Sequence, residues 1–145
     1  MAIWFEPFTI EQIQARGKGT MIEHIGIQLT EIGSDFLMGT MPVDHRTIQP
    51  MKILHGGASV VLAETLGSLA ANLVVNPATT YCVGMEINAN HIRAAGSGLI
   101  TGTAKPFHLG SSTQVWNIEM MNEERKLICI SRLTMAVLKK PTANR

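Results

Sequence analysis

One long apolar segment, residues 55–75, constrains the fold of this chain more than any other feature. It predicts a helix that is apolar on nearly every side, and Glu64 is the only charged side chain between Lys52 and Glu86. One flat layer cannot cover such a helix, so it needs a strongly curved sheet, a second subunit, or both around it. We expect the helix to end before Pro77, because proline cannot continue it.

Short strands are predicted on both sides of this helix. A small opening helix at residues 9–15 is capped by Thr9, with Gln12 in the capping-box position. Two strands before the long helix and four after it are predicted at residues 25–32, 36–43, 82–93, 99–105, 113–121 and 127–138. Tandem strands without helices between them favour an antiparallel sheet, so the predicted fold class is α+β. The length fits a single domain over residues 1–145, with a frayed tail at 139–145.

The strand at residues 82–93 has an alternating pattern. Alternation places successive side chains on opposite faces of a strand. The pattern predicts one face with Val83, Met85, Ile87 and Ala89, and another with Glu86, Asn88 and Asn90.

Composition and patterning exclude several classes of protein. The net charge of +1 comes without a basic stripe, so we expect no nucleic-acid partner. No basic stretch followed by an apolar run opens the chain, so no secretion signal is predicted. Polar side chains inside the apolar helix, and the lack of a basic flank, argue against a membrane span. Cys82 and Cys129 form no paired motif, which suits a reducing compartment and predicts a soluble cytoplasmic protein.

Glu64 is the first candidate for chemistry. Burying an ionised carboxylate without partners is expensive, so the chain has either an ion-pair partner for it or a chemical use. Ser68 and Asn72 follow at one-turn intervals and extend a polar stripe along the same helix face. The alternative is a structural hydrogen-bonded network, or an ion pair with Arg93 or Arg132.

The start of the helix, His55-Gly56-Gly57, is the second candidate. First-turn N–H groups have no acceptor within a helix, and glycine allows close approach, so such an end attracts a polarised oxygen. A carbonyl oxygen that becomes an oxyanion is one suitable guest. The alternative is that the glycines permit a tight loop-to-helix junction and that His55 is only a cap. Gln49, in the preceding loop, offers an amide donor but is weak evidence alone.

Distance along the helix makes the catalytic hypothesis a hypothesis about an oligomer. Gly56 and Glu64 are eight residues apart, which is about 12 Å along a helix axis. They cannot both touch one small carbonyl group from the same chain. If both act on one substrate, the glycine end of one helix meets the middle of another, which implies a dimer with antiparallel central helices and two shared sites.

Two further polar stretches are candidate binding residues. Asn90, His91 and Arg93 lie at a predicted strand end, and His108, Gly110, Ser111 and Ser112 lie in a predicted loop. Arginine and a glycine-serine turn can hold phosphates, although an exposed strand end and a plain turn are the favoured alternatives for these stretches alone. The five histidines show no metal-ligand spacing, so no metal site is predicted.

Four stretches resemble the hotdog-fold acyl-CoA thioesterases, and the likeness covers residues 41–138. They are Gln49-Pro50, LHGGASVVLAETLGS at residues 54–68, VGMEINANHIR at 83–93 and HLGS at 108–111. Within that family the chain resembles the members that hydrolyse 1,4-dihydroxy-2-naphthoyl-CoA and the proofreading members of enterobactin synthesis. The resemblance implies a long central helix wrapped by a curved antiparallel sheet, in a homodimer that assembles to a homotetramer.

The resemblance also implies a role for each matching residue. Glu64 is the nucleophile or the general base for water, and Ser68 orients that water. The Gly56 N–H polarises the thioester carbonyl with help from Gln49 and His55. Asn90, His91, Arg93 and Ser111 map to the region that handles coenzyme A. Two departures bear on the substrate: Met51-Lys52 stands where relatives often have Phe-Gly, and Ser112 stands where some carry a basic residue.

The function expected from the sequence is hydrolysis of an acyl-CoA thioester, with an aromatic acyl group. No cofactor is expected, because CoA is part of the substrate, and an acyl or aryl carrier protein is an alternative thioester donor. The rival enzyme is a hotdog hydratase or dehydratase in which His55 and Glu64 do acid–base work. The rival from another class is a non-catalytic acyl-CoA-binding module. Fold alone would not separate these.

Overall fold

The computed structural model describes residues 1–141. Its helices are α1 (Ile10–Gln14), followed by a 3₁₀ turn (Ala15–Gly17), α2 (Met21–His24) and the long α3 (Gly56–Val74). Its strands are β1 (Gln28–Ile32), β2 (Leu37–Pro42), β3 (Thr80–His91), β4 (Leu99–Leu109), β5 (Thr113–Met121) and β6 (Leu127–Lys139). The order of the six strands around α3 and the capping box of α1, formed by Thr9 and Gln12, are as the sequence predicts, whereas the 3₁₀ turn and α2 were not predicted.

Helix α3 is the core around which the sheet is built. The six strands form one sheet in the order β1-β2-β4-β5-β6-β3, and every paired strand is antiparallel. Strands β2 to β6 all contact α3, as a helix that is apolar on most sides requires. By length and composition α3 alone among the described helices could cross a bilayer. Here the sheet buries nine of its residues: Ser59, Leu62, Ala63, Thr65, Leu66, Gly67, Ala70, Ala71 and Leu73.

The alternation predicted for the strand at 82–93 is wrong at its first half. The pairing of β3 with β6 shifts register between Gly84 and Glu86, which marks a β-bulge. Ile87 and Ala89 pack against the core, whereas Val83 is 40% exposed and Met85 is 65% exposed. One extra residue in a strand reverses the facing of everything on one side of it, so the two halves of β3 follow opposite patterns.

Every strand except β5 also differs from its predicted bounds at one end or at both. Strand β1 begins at Gln28 rather than at 25, because α2 occupies Met21–His24. Strand β4 continues to Leu109, where it pairs with Gln114 of β5, so His108 lies in a strand and not in a loop. Strand β6 includes Lys139, the first residue of the predicted tail, and the Lys140 N–H donates to the Thr79 carbonyl. Residues 142–145 of that tail lie outside the described part of the chain.

Candidate active site

Glu64 lies half-buried in the middle of α3, against the backbone of Gly84 in β3. Within residues 1–141 its carboxylate has no lysine or arginine nitrogen within 4.0 Å and accepts no hydrogen bond. Arg93 instead donates from Nη1 to the Leu127 carbonyl at 2.7 Å. Arg132 lies over the ring of Phe107, 5.0 Å from its centroid. The structural ion pair considered from the sequence is therefore not formed.

Burial of this unpaired carboxyl has a consequence for its ionisation. Loss of hydration raises the pKa of Glu64 above its ordinary value. A raised folded-state pKa means that folding favours the protonated form. The stability this provides is present below the unfolded-state pKa and is lost as the pH rises through the folded-state pKa.

Glu64→Gln should therefore stabilise the protein at pH 8, because the amide cannot ionise. The gain in melting temperature should vanish at pH ~3, below the unfolded-state pKa, where the wild-type carboxyl is protonated in both states. Thermal unfolding at the two pH values measures this, with Glu31→Gln on the exposed part of β1 as the control. A gain that is equal at both pH values would contradict it.

The polar stripe of α3 divides into a structural part and a free part. Asn72 is held by β3: its Oδ1 accepts from the Cys82 N–H at 2.9 Å and its Nδ2 donates to the Cys82 carbonyl at 3.1 Å. For Asn72 the structural alternative is therefore correct. The half-buried Ser68 hydroxyl forms no hydrogen bond to the described residues, so Ser68 and Glu64 remain available to a ligand.

The start of α3 presents one open backbone donor. His55 is the N-cap, and its Nδ1 accepts from the Gly57 N–H at 2.8 Å. The neutral ring consequently carries its proton on Nε2. The His55 carbonyl accepts from the N–H groups of Ala58 and Ser59. The Gly56 N–H has no acceptor among residues 1–141, which leaves it free for a ligand oxygen.

Gln49 has a defined amide orientation in the loop before α3. Its Oε1 accepts from the Met51 N–H at 2.6 Å. Its backbone closes the same turn, with its N–H donating to Ile53 and its carbonyl accepting from Lys52. The side-chain oxygen already accepts a hydrogen bond, so the Nε2 group is the part of the amide that remains free to bind a ligand, as a donor.

The predicted binding residues fall into two separate places. His91 packs on the helix start: a Cβ atom built on Gly56 would lie 2.8 Å from His91 Nε2. Around this contact is a cavity of about 270 Å³, whose polar lining comes from Gly56, Ser59, His91 and Arg93. Asn90 is exposed and is absent from that lining, because adjacent residues of a strand face opposite ways.

The other predicted binding residues lie at the far end of α3. Gly110, Ser111 and Ser112 line a second cavity of about 520 Å³, together with Val75 and Lys139. His108 is exposed near the end of β4. The 19 residues of α3 separate its two ends by about 28 Å. One chain therefore does not bring the two groups of residues together.

Sequence reasoning missed two residues of the site. Ser59, 1% exposed, lines the cavity at the start of α3 and has no visible signal in the sequence beyond its polarity. Gly84 does have a signal, because an isolated glycine inside a strand pattern indicates a bulge or a close backbone approach. Both occur there.

Comparison with known proteins relates this chain to thioester-hydrolysing enzymes. A family model described as "Thioesterase superfamily" matches residues 51–129. A 1,4-dihydroxy-2-naphthoyl-CoA hydrolase of Escherichia coli is 51% identical over 136 residues, which cover 94% of this chain and 99% of that protein. A proofreading thioesterase, EntH, of Cronobacter sakazakii is 47% identical over 136 residues, 94% of this chain and 98% of that one.

A solved structure gives the same relationship in three dimensions. A mutant of thioesterase PA1618 from Pseudomonas aeruginosa superposes with a TM-score of 0.94 at 45% sequence identity. The match covers 96% of this chain and 100% of the PA1618 chain.

Proposed function

This chain belongs to the thioesterase superfamily, is a thioester hydrolase with the hotdog fold, and, we propose, releases an aromatic acid from its CoA thioester. The proposed substrate class is that of the compound in the Escherichia coli relative's name, 1,4-dihydroxy-2-naphthoyl-CoA. The observation that carries a hydrolytic role for the site is the unpaired, half-buried Glu64 carboxylate on a helix whose first N–H is open. CoA enters as part of the substrate, and the proposed chemistry needs no cofactor or metal, because a carboxylate and water supply both proton transfer and nucleophile.

The proposed reaction divides the work between two groups of residues. The Gly56 N–H, with the Gln49 amide and His55 Nε2–H, stabilises the negative charge that develops on the thioester oxygen. Glu64 acts on the carbonyl carbon directly, as nucleophile, or removes a proton from the attacking water, as general base. Ser68, one turn further along α3, orients that water. The C–S bond breaks, and the CoA thiolate takes up the proton that the water gives up. In the nucleophilic route the acyl group is first held on Glu64 as an anhydride, and water then hydrolyses it to the free acid.

These groups come from two protomers in the proposal. Strands β1 and β3 are the two edges of the sheet, and β3 is the longer edge, with Val83 and Met85 exposed. A long unpaired edge strand is a template for pairing with another chain. Pairing of two β3 edges in a homodimer would lay the two α3 helices antiparallel and bring the far-end residues Ser111 and Ser112 of one chain towards the start of the other helix. We propose that such dimers assemble to a homotetramer in the cytoplasm.

A turnover panel tests the proposed reaction and its substrate class. The panel pairs aryl-CoA thioesters with aliphatic acyl-CoA thioesters of several lengths and one aryl carrier-protein thioester. We expect thiol release to be fastest with aryl-CoA. Enoyl absorbance is followed on an enoyl-CoA in parallel, because hydration releases no thiol. Enoyl loss without thiol, or tight binding without turnover across the panel, would contradict the proposal.

The Gly56 donor can be removed with little disturbance of the backbone. Gly56 is the first residue of α3, a position that tolerates proline, and His55 has the extended conformation (φ −72°, ψ 129°) that precedes proline well. Gly56→Pro should lower kcat by about 10²-fold, the usual cost of losing one oxyanion donor.

Gly56→Ala is the matched control, since it keeps the N–H and brings the same Cβ against His91. We expect it to retain most of the activity that Gly56→Pro loses. Equal losses in the two variants would assign the effect to the His91 contact and not to the N–H.

A further inference from the structure

The Glu64 carboxylate lies against Gly84 of β3. A Cβ atom built on Gly84 has Glu64 atoms as its three nearest neighbours: Oε1 at 2.6 Å, Cδ at 3.5 Å and Oε2 at 3.8 Å. Real Cβ atoms do not approach other atoms to 2.6 Å. The backbone does not require glycine here, because Gly84 is not among the residues with positive φ. The carboxylate therefore occupies the space that a side chain at position 84 would fill.

The bulge beside Gly84 decides which other residue faces α3. Gly84 pairs with Met135 and Glu86 with Thr134, so Met85 has no partner in β6. Had the strand continued its alternation inward from Cys82 and Gly84, Glu86 would have turned towards the helix. It lies on the exposed face instead, where its Oε1 accepts from Asn88 Nδ2 at 3.1 Å. The bulge keeps a second carboxylate away from the first, and two adjacent carboxylates hinder each other's ionisation.

We propose that Gly84 and the bulge at Met85 form a positioning device for Glu64. The device leaves room for the carboxylate against the strand backbone and excludes a competing acid from its surroundings. Gly84 is a positioning residue, because it acts on the reaction through Glu64. The inference rests on the catalytic role proposed for Glu64.

Gly84→Ala tests the device through activity. The added methyl group displaces the carboxylate, and a displacement of about 1 Å can cost 10²-fold in rate. We expect kcat to fall at least about tenfold, with KM little changed. The acid limb of the kcat–pH profile should also move to lower pH, because the displaced carboxylate is better hydrated. Gly96→Ala is the matched control, since a Cβ built there meets nothing within 4 Å. A Gly84→Ala variant with the kcat and pH profile of Gly96→Ala would overturn the proposal.

A double-mutant cycle tests the contact itself, even if Gly84→Ala folds poorly. Glu64→Ala removes the atoms that the new methyl group meets, so Gly84→Ala should change the melting temperature by a different amount in the Glu64→Ala background than in the wild type. Glu64→Asp, one methylene shorter, should reduce the further loss of kcat caused by Gly84→Ala. Additive effects in both cycles would show that Gly84 and Glu64 are not coupled, and the proposal would fail.

Failure of this inference can be told apart from failure of the proposed function. If Glu64→Ala retains full thiol release, the catalytic role of Glu64 is wrong and Gly84 positions nothing catalytic. If Glu64→Ala is inactive while Gly84→Ala matches Gly96→Ala, the proposed function stands and only the positioning device is wrong.

Discussion

Glu64→Ala is expected to lower kcat for thioester hydrolysis by about a thousandfold, within the range for loss of a positioned base or nucleophile. The loss should be this large because β3, the strand that lies against Glu64, brings no second carboxylate to the site. Glu86, the nearest acid along β3, faces away from α3 and bonds to Asn88. Free thiol released from an aryl-CoA substrate, followed with a chromogenic disulfide, measures the effect at saturating substrate.

Ser68→Ala provides the comparison on the same helix face. Its hydroxyl has no partner among residues 1–141, and its proposed task is to orient water, so we expect a loss of about tenfold, one hydrogen bond's worth of free energy. Full thiol release by Glu64→Ala would refute the mechanism. A Ser68→Ala loss equal to that of Glu64→Ala would instead indicate that Ser68 takes part in the chemical step.

Features that depend on neighbouring residues in the sequence were predictable. The capping box of α1 is set by Thr9 and Gln12, and the end of α3 is set by Pro77. Strand β5 has its predicted bounds, because Trp116 is fully buried and its neighbours alternate cleanly around it. Each of these signals acts over a few residues, where local physical chemistry decides the outcome.

Features that depend on the partner strand were not predictable in the same way. The bulge at Met85 is a shift in the register of β3 against β6 next to Gly84. The glycine indicates that a bulge is possible, but the residues of β3 alone do not specify how β6 pairs with them. The extension of β4 to Leu109 likewise depends on Gln114 of β5 lying opposite. Sequence periodicity assumes an uninterrupted ladder, so an extra residue reverses every assignment on one side of it, here those of Val83 and Met85.

The candidate site shows the same division. Glu64 was identifiable because an isolated charge in an apolar helix is expected to be buried, and a buried charge needs either a partner or a function. Asn72 looked equivalent from its spacing, but its amide is used by the backbone of Cys82. The sequence does not show that β3, which contains Cys82, packs against this face of α3. A polar residue on a helix can be assigned to function or to structure only when the element lying against it is known.

Mixing two inactive variants should restore activity, if each site combines the Gly56 of one chain with the Glu64 of its partner. In a heterodimer of Glu64→Ala and Gly56→Pro, one site combines the two substituted residues. The other site combines the intact Gly56 of the first chain with the intact Glu64 of the second. Random pairing makes about half of the dimers heterodimers, each with one intact site, so the mixture should reach about a quarter of wild-type activity. The parents alone should show about 1% or less.

The two variants are best co-expressed, with a tag on one of them and native mass spectrometry to verify random pairing. If both groups acted from the same chain, every site would keep one defect. The mixture would then show only the average of its parents, about 0.5%. The separation of Gly56 and Glu64 by two turns of a rigid helix, about 12 Å, makes the shared site the expected result. A mixture that stays inactive would require a substrate long enough to use both groups in turn, and the proposed division of work between oxyanion donor and carboxylate would be wrong.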